Sequence, residues 1–164
     1  LMVIPPVVMI IPLFVITAKV HLINNFIAPI LIYTGLMMPF SVYLLVNFFK
    51  TIPDDFIDAA VIDGCTTHGI LFRIIFPLSK APIVTLFIVN AMWVWNELLI
   101  AMIFLQKESI RTLMVGVSTF RSKTELNIPL IMAGLFISVL PLFIIYIIGQ
   151  RYFVRGLIAG AIKE

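Results

Sequence analysis

Residues Thr51–Pro82 read TIPDDFIDAAVIDGCTTHGILFRIIFPLSKAP. This is an acidic island, holding Asp54, Asp55, Asp58 and Asp63, in an otherwise apolar chain. Apolar stretches long enough to cross a bilayer flank it on both sides. A membrane protein that places a folded loop between two spans usually docks something there, so the island decides how the rest of the chain is read.

Working outward, four apolar stretches stand out, at about 2–18, 26–49, 82–105 and 128–149. Each is near or above the ~17 residues a helix needs to span the hydrocarbon layer. Pro5, Pro6 and Pro12 interrupt the first. Membrane helices tolerate proline where neighbours satisfy the freed carbonyls, so this helix is expected to kink and pack against protein. The turn 19–25 is short and polar, which makes the first two spans an antiparallel hairpin. The 106–127 connection is polar at both ends and carries Leu113-Met114-Val115-Gly116-Val117, a short piece that cannot cross. The tail, 150–164, is basic and then rich in small residues. The expected fold is all-α: a polytopic membrane bundle with a two-helix loop over 51–81.

Composition agrees. Of 164 residues, 62% are hydrophobic and 12% charged, and mean hydropathy is +1.18. A soluble domain of this size has too little interior to hide that much apolar surface. The net charge of +3 is modest and no basic run points to nucleic acid. The single cysteine, Cys65, excludes an internal disulfide framework and reads as a small residue beside a turn. Leu1 in place of Met reads as a fragment, with Met2 the alternative start; no charged n-region or cleavage site marks a signal peptide.

Four spans put the island and the tail on one face. That face carries Lys50, Arg73, Lys80, Arg151, Arg155 and Lys163, against Lys19, Lys107, Arg111, Arg121 and Lys123 on the other. The bias toward a cytoplasmic island is slight.

Within the island, Thr51 and Asp54 have the spacing of a capping box. Asp54, Asp55 and Asp58 then occupy the first two turns, where carboxylates suit the positive helix end. Ala59 and Ala60 leave a patch poor in side chains that another surface can approach. Gly64 fits the left-handed residue that ends a helix. Thr67 is placed to cap a second helix, which Pro77 is expected to stop after Phe76. An amphipathic helix resting on the membrane surface is the alternative, but that class favours Lys and Arg on its polar face. An acidic face suits docking to a protein with basic residues.

Asn90, Trp93, Trp95, Asn96 and Glu97 lie in the third stretch. Asn90, Val94 and Glu97 share a face of a continuous helix. Glu97 would sit ~22 Å from the island side. Two readings stand. A buried carboxylate is expensive and tends to face a cavity or a partner, which makes Asn90, Trp95, Asn96 and Glu97 candidates for a pathway or gate. Alternatively, Trp93 and Trp95 form an interfacial belt with Glu97 among headgroups. His68 reads as an ordinary surface or cap residue. No cluster of His, Cys and acids has metal-ligand spacing, and neither a P-loop nor GxGxxG occurs, so no metal or cofactor is expected. No catalytic constellation is seen; the chain is expected not to hydrolyse ATP, and any energy source belongs to a partner.

The island has a particular spacing: Asp58-Ala59-Ala60, three residues, Gly64, nine residues, Ile74-Ile75-Phe76-Pro77. It resembles the loop by which permease subunits of ABC importers grip their ATPase: Glu-Ala-Ala, three residues, Gly, nine residues, Ile-x-Leu-Pro. Asp for Glu and Phe for Leu keep the chemical character. Phe48–Pro53, Phe72–Ser79, Trp95-Asn96-Glu97, Arg111–Gly116 and the run from Gln150 to Ala161 extend the likeness. Together they resemble the carbohydrate subfamily of type I ABC importer permeases, the maltose and glycerol-phosphate type. Members usually carry six spans, and this sequence resembles the last four.

The resemblance implies an inner-membrane permease for a sugar or sugar-like solute. It implies a second permease subunit, two cytoplasmic ATPase subunits and an extracytoplasmic solute-binding protein, all in membrane lipid. Asp58, Ala59, Ala60, Asp63, Gly64 and Pro77 would make the ATPase contact. A non-transporting membrane scaffold and a permease remnant are the alternatives.

Overall fold

The computed structural model describes residues 5–120 and 127–161, the last eleven of these as backbone. Residues 2–4 of the first expected span, Arg121 and Lys123, and the tail's Lys163 and Glu164 lie outside the described residues. Every regular element among the described residues is helical.

In order these are α1 (Pro6–Lys19), α2 (Ile27–Phe49), α3 (Asp54–Ile62), α4 (Thr67–Ile70), a π turn (Leu71–Ile75), α5 (Phe76–Leu78), α6 (Lys80–Asn96), α7 (Leu99–Phe104), a 3-10 turn (Glu108–Ile110), α8 (Leu113–Thr119) and α9 (Ile128–Ala161). Two are long and apolar enough to cross a membrane, Ile27–Phe49 and Ile128–Gln150. Thr67–Leu78 and Lys80–Asn96 meet at a 71° bend; only if the bent pair is counted as one span does the number of candidates rise to three. Pro6–Lys19 is apolar but shorter.

One expectation about helix extent needs correction. The stretch 82–105 is not one helix: α6 ends at Asn96 and α7 restarts at Leu99. The candidate span ends at Gln150, and α9 continues beyond it as helix to Ala161. Nothing between Pro141 and Ala161 forces a helix to stop; the glycines there cost propensity without breaking the hydrogen-bond ladder.

The chain divides into two compact units, Leu1–Pro39 with Asn90–Ile145 and Phe40–Val89 with Tyr146–Glu164. The first is built on Ala28, Ile32, Ile100 and Phe104, surrounded by Leu13, Phe14, Leu22, Ile23, Tyr33, Leu36 and Ile103. Phe104 is completely buried. Phe14 meets its ring edge-on at a 6.1 Å centroid distance, a geometry aromatic quadrupoles favour. The turn between α1 and α2 clasps the far end of α7. Asn24 takes a left-handed φ of 61°, which its short polar side chain tolerates. Its N–H donates to the Phe104 carbonyl at 2.9 Å, and its Oδ1 accepts from the Gln106 and Lys107 N–H groups at 2.7 and 2.9 Å. The carbonyl at the end of α7 is thereby satisfied by a residue eighty positions away. Later in the same unit α8 buries Val115 and Val117. Gly134 of α9 lies so close to Val117 that a methyl group there would stand 2.7 Å from the valine side chain.

The second unit holds the island. Gly149 of α9 packs onto the Ile88 side chain with no room for a Cβ. The many apolar side chains left exposed on α2 and α9, Phe136 and Ile148 among them, suit a lipid or protein surround rather than water.

Candidate functional site

The island is two short helical pieces joined by a satisfied turn. α3 begins after Pro53, in extended conformation with no side-chain cap. The expected capping box is absent, since the Thr51 hydroxyl donates instead to the Phe48 carbonyl at 2.7 Å, closing the end of α2. Asp54 and Asp55 fill the first turn of α3. At its other end Gly64 is left-handed, with φ 76°. The Gly64 N–H reaches the Val61 carbonyl at 3.0 Å and the Cys65 N–H reaches the Ala60 carbonyl at 2.9 Å. That pair of bonds is the Schellman arrangement, and it uses carbonyls a helix end otherwise leaves orphaned.

Thr66, not Thr67, then caps α4, its hydroxyl accepting from the Gly69 N–H at 3.2 Å. The Schellman turn consumes Cys65, so the next residue, already extended, falls at the cap. Pro77 does not end this helix at Phe76, because the chain remains helical through Leu78. Proline cannot donate to a carbonyl in the preceding turn, and the wider π turn over Leu71–Ile75 precedes it. Helicity stops at Ser79. That residue is fully buried, and its hydroxyl donates to the Ile75 carbonyl at 2.6 Å where the 71° bend begins.

Asp58, Ala59, Asp63, Gly64 and Pro77 are exposed. Ala60 is not; at 2% exposure it is core, so Ala59 alone forms the small-residue patch. Sequence spacing could not separate the two, since adjacent helical positions point about 100° apart. α3 also exposes Phe56, Val61 and Ile62, the last 85% exposed, and the second piece of the island exposes Phe72 and Phe76, whose rings lie 6.4 Å apart. A helix that exposes both apolar side chains and carboxylates has the chemistry of a protein contact carrying cations.

Trp95, Asn96 and Glu97 each hold different partners. Asn90 is half-buried on α6. The Trp95 indole N–H donates to the Ser138 carbonyl of α9 at 3.0 Å. The exposed Asn96 folds back on its own helix, donating to the Met92 carbonyl at 2.8 Å. Glu97 lies outside α6, so the face shared with Asn90 and Val94 ends before it. Its Oε1 accepts from the Ile100 N–H at 2.9 Å and its Oε2 from the Ala101 N–H at 3.1 Å. The Tyr33 hydroxyl of α2 donates to the same Oε2 at 2.8 Å. Tyr33 also stacks edge-on against Trp93, centroids 5.9 Å apart. Glu97 is half-buried, and its two oxygens accept from three donors. Tyr33 and Asn24 went unremarked in the sequence. The available signals were a tyrosine hydroxyl in an apolar span, which needs a partner, and an asparagine in a tight turn.

With this geometry in place, comparison with known proteins is decisive. Residues 1–159 match the model of the family described as binding-protein-dependent transport system inner membrane component. The chain belongs to this family. Among relatives of this inner membrane component is the probable ABC transporter permease protein YurM of Bacillus subtilis, 37% identical over 96% of this chain and 53% of its own length. The sulfoquinovosyl glycerol transport system permease protein SmoH of Agrobacterium fabrum is 38% identical over 97% of this chain and 56% of its length. The melibiose/raffinose/stachyose import permease protein MelC of Bacillus subtilis is 34% identical over 99% and 59%. The chain therefore spans little more than half the length of these relatives. An inner membrane component needs membrane-crossing helices, and α2 and α9 have the length and apolarity for it.

Proposed function

We propose that this chain forms the larger part of a multi-pass permease subunit that carries a sugar or sugar-like solute across the inner membrane, driven by ATP hydrolysis on a partner. The observation that carries the reading is the family match over residues 1–159, with relatives named for import of sugars and a sugar glycerol. The island supplies a mechanism. Asp58, Ala59, Asp63 and Gly64 stand exposed on a turn whose own backbone bonds are complete, so a cytoplasmic ATPase docks on a preformed surface. Preorganisation of this kind lowers the ordering cost of association. Two residues act differently: Ala60, which is buried, packs α3 down, and Pro77, although exposed, shapes the second piece of the island. A second permease subunit and an extracytoplasmic solute-binding protein complete the importer. The scaffold and remnant readings are not favoured by relatives named as permeases.

The test is the full-length permease, purified with its ATPase and partner permease and placed in lipid vesicles with its binding protein. ATP-dependent accumulation of labelled melibiose, raffinose or sulfoquinovosyl glycerol is expected. Absence of ATP-dependent accumulation for every carbohydrate tried overturns the reading.

A further inference from the structure

The break between α6 and α7 has no ordinary cause. No glycine or proline lies between Ile83 and Gly116, and the stretch is apolar enough to continue as one helix. In an unbroken helix the N–H groups of Ile100 and Ala101 would go to the carbonyls of residues 96 and 97. Here they go to the carboxylate of Glu97. A charged side chain has replaced backbone acceptors, and the Tyr33 hydroxyl then ties that carboxylate to α2. At the other end of α7, Asn24, from the turn leading into α2, takes the Gln106 and Lys107 N–H groups and donates to Phe104. Between the two ties, Ile100, Ala101 and Phe104 are buried.

We infer that Glu97, Tyr33 and Asn24 are positioning residues for transport: they fix α7 on α2 at both ends and make Glu97–Leu98 the joint at which α6 moves. Stability alone does not call for this arrangement. A buried charge is generally no more stabilising than an apolar group of the same volume, and a continuous helix would need no carboxylate in an apolar span. The assignment also limits what else Glu97 does. As a carboxylate it only accepts hydrogen bonds, and three donors take three of its about four acceptor sites, which leaves little capacity for solute hydroxyls.

The inference rests on the transport reading, and the experiment keeps the two apart. In the reconstituted full-length importer, Glu97→Gln places an NH2 donor against at least one donor that the carboxylate accepted from. Expected is a fall in maximal uptake rate of about fivefold or more, because hydrogen bonds to charged groups are the stronger kind. The solute concentration at half-maximal rate should stay within about twofold. Tyr33→Phe, which leaves both backbone bonds in place, should give a smaller fall. Combined with Glu97→Gln it should add nothing, since Tyr33 acts through the carboxylate.

Three results overturn the inference: a large rise in the half-maximal concentration or altered preference among sugars, additive losses in the double variant, or wild-type rates throughout. If Glu97→Gln fails to reach the membrane, Tyr33→Phe and Asn24→Ala carry the rate test. Hydrogen exchange at the Ile100 and Ala101 amides reads the clamp without any transport. Exchange should quicken in Glu97→Gln, and an unchanged rate overturns the clamp whatever the protein carries. Failure of the wild-type importer to move any carbohydrate, with quickened exchange in the variant, removes the transport reading and leaves the clamp standing.

Discussion

Gly64 offers a perturbation whose magnitude can be worked from its surroundings. At φ 76° any L side chain is strained, yet a Cβ built there meets nothing within 4 Å. Gly64→Ala therefore costs backbone strain and nothing else, ~1–2 kcal/mol for the left-handed region. The turn is held by two hydrogen bonds, each worth ~0.5–1.5 kcal/mol net. Strain and holding energy are comparable, so the preformed turn loses about 5- to 30-fold in population relative to open states. Gly64→Asn should cost clearly less, because asparagine visits this region more readily. Gly64→Leu has the strain of alanine and meets open space within its own chain for at least the first atom. A loss of affinity beyond that of alanine, with the variant's own thermal stability equal to that of alanine, would come from a surface supplied by another protein. The assay is a titration of ATPase against full-length permease in detergent or nanodiscs, with the affinity of each variant referred to wild type. The expected order of affinity is wild type, Asn, Ala, Leu, with Leu weakened well beyond Ala. Equal effects of Ala and Leu would show that no partner covers Gly64. Equal effects of Asn and Ala would refute the argument from backbone strain.

Three further outcomes follow from the same kind of reasoning. Thr66→Ala removes the cap of α4 and should lower thermal stability of the purified permease by ~1 kcal/mol, while Thr67→Ala should be near neutral; a larger effect at Thr67 would reverse the cap assignment. Gly134→Ala should destabilise by ~1–3 kcal/mol through overpacking against Val117, whereas Gly116→Ala, with nothing within 4 Å of the added atom, should be neutral or gain ~0.5–1 kcal/mol; melting in detergent separates them. In a Cys65→Ala background, Asp63→Cys should resist an impermeant thiol reagent in intact cells and react after permeabilisation; ready labelling from outside would place the island on the wrong face for an ATPase.

Much of the island was legible because its signals are local. Gly64 declared a left-handed turn, and Asp54 and Asp55 declared a helix start, since both depend on neighbours a few positions away. The cap slipped from Thr67 to Thr66 because adjacent threonines look alike until the preceding turn fixes which one is extended. Ala59 and Ala60 looked equivalent until packing buried one of them. The joint at Glu97 was not legible as a joint. Helix breaks are read from glycine and proline, and here a carboxylate took the backbone N–H groups, with support from a tyrosine in a distant helix. The same holds for Asn24, whose role exists only once α7 is folded beside it.

The ties on α7 also set an order of events during synthesis. The island's turn closes between residues at most five apart, so it can form within about microseconds of leaving the ribosome. Tyr33 must wait for a partner 64 residues downstream, and Asn24 for one 82 residues downstream. At ~5–20 residues per second, these waits last ~3–13 s and ~4–16 s. For those seconds the nascent α2 lies in the bilayer with a hydroxyl that has not met its acceptor, beside a turn that has not met its helix. Whatever shelters newly inserted segments must cover those two spots, one on α2 and one in the turn before it, and must let go as Glu97 and then Gln106 arrive.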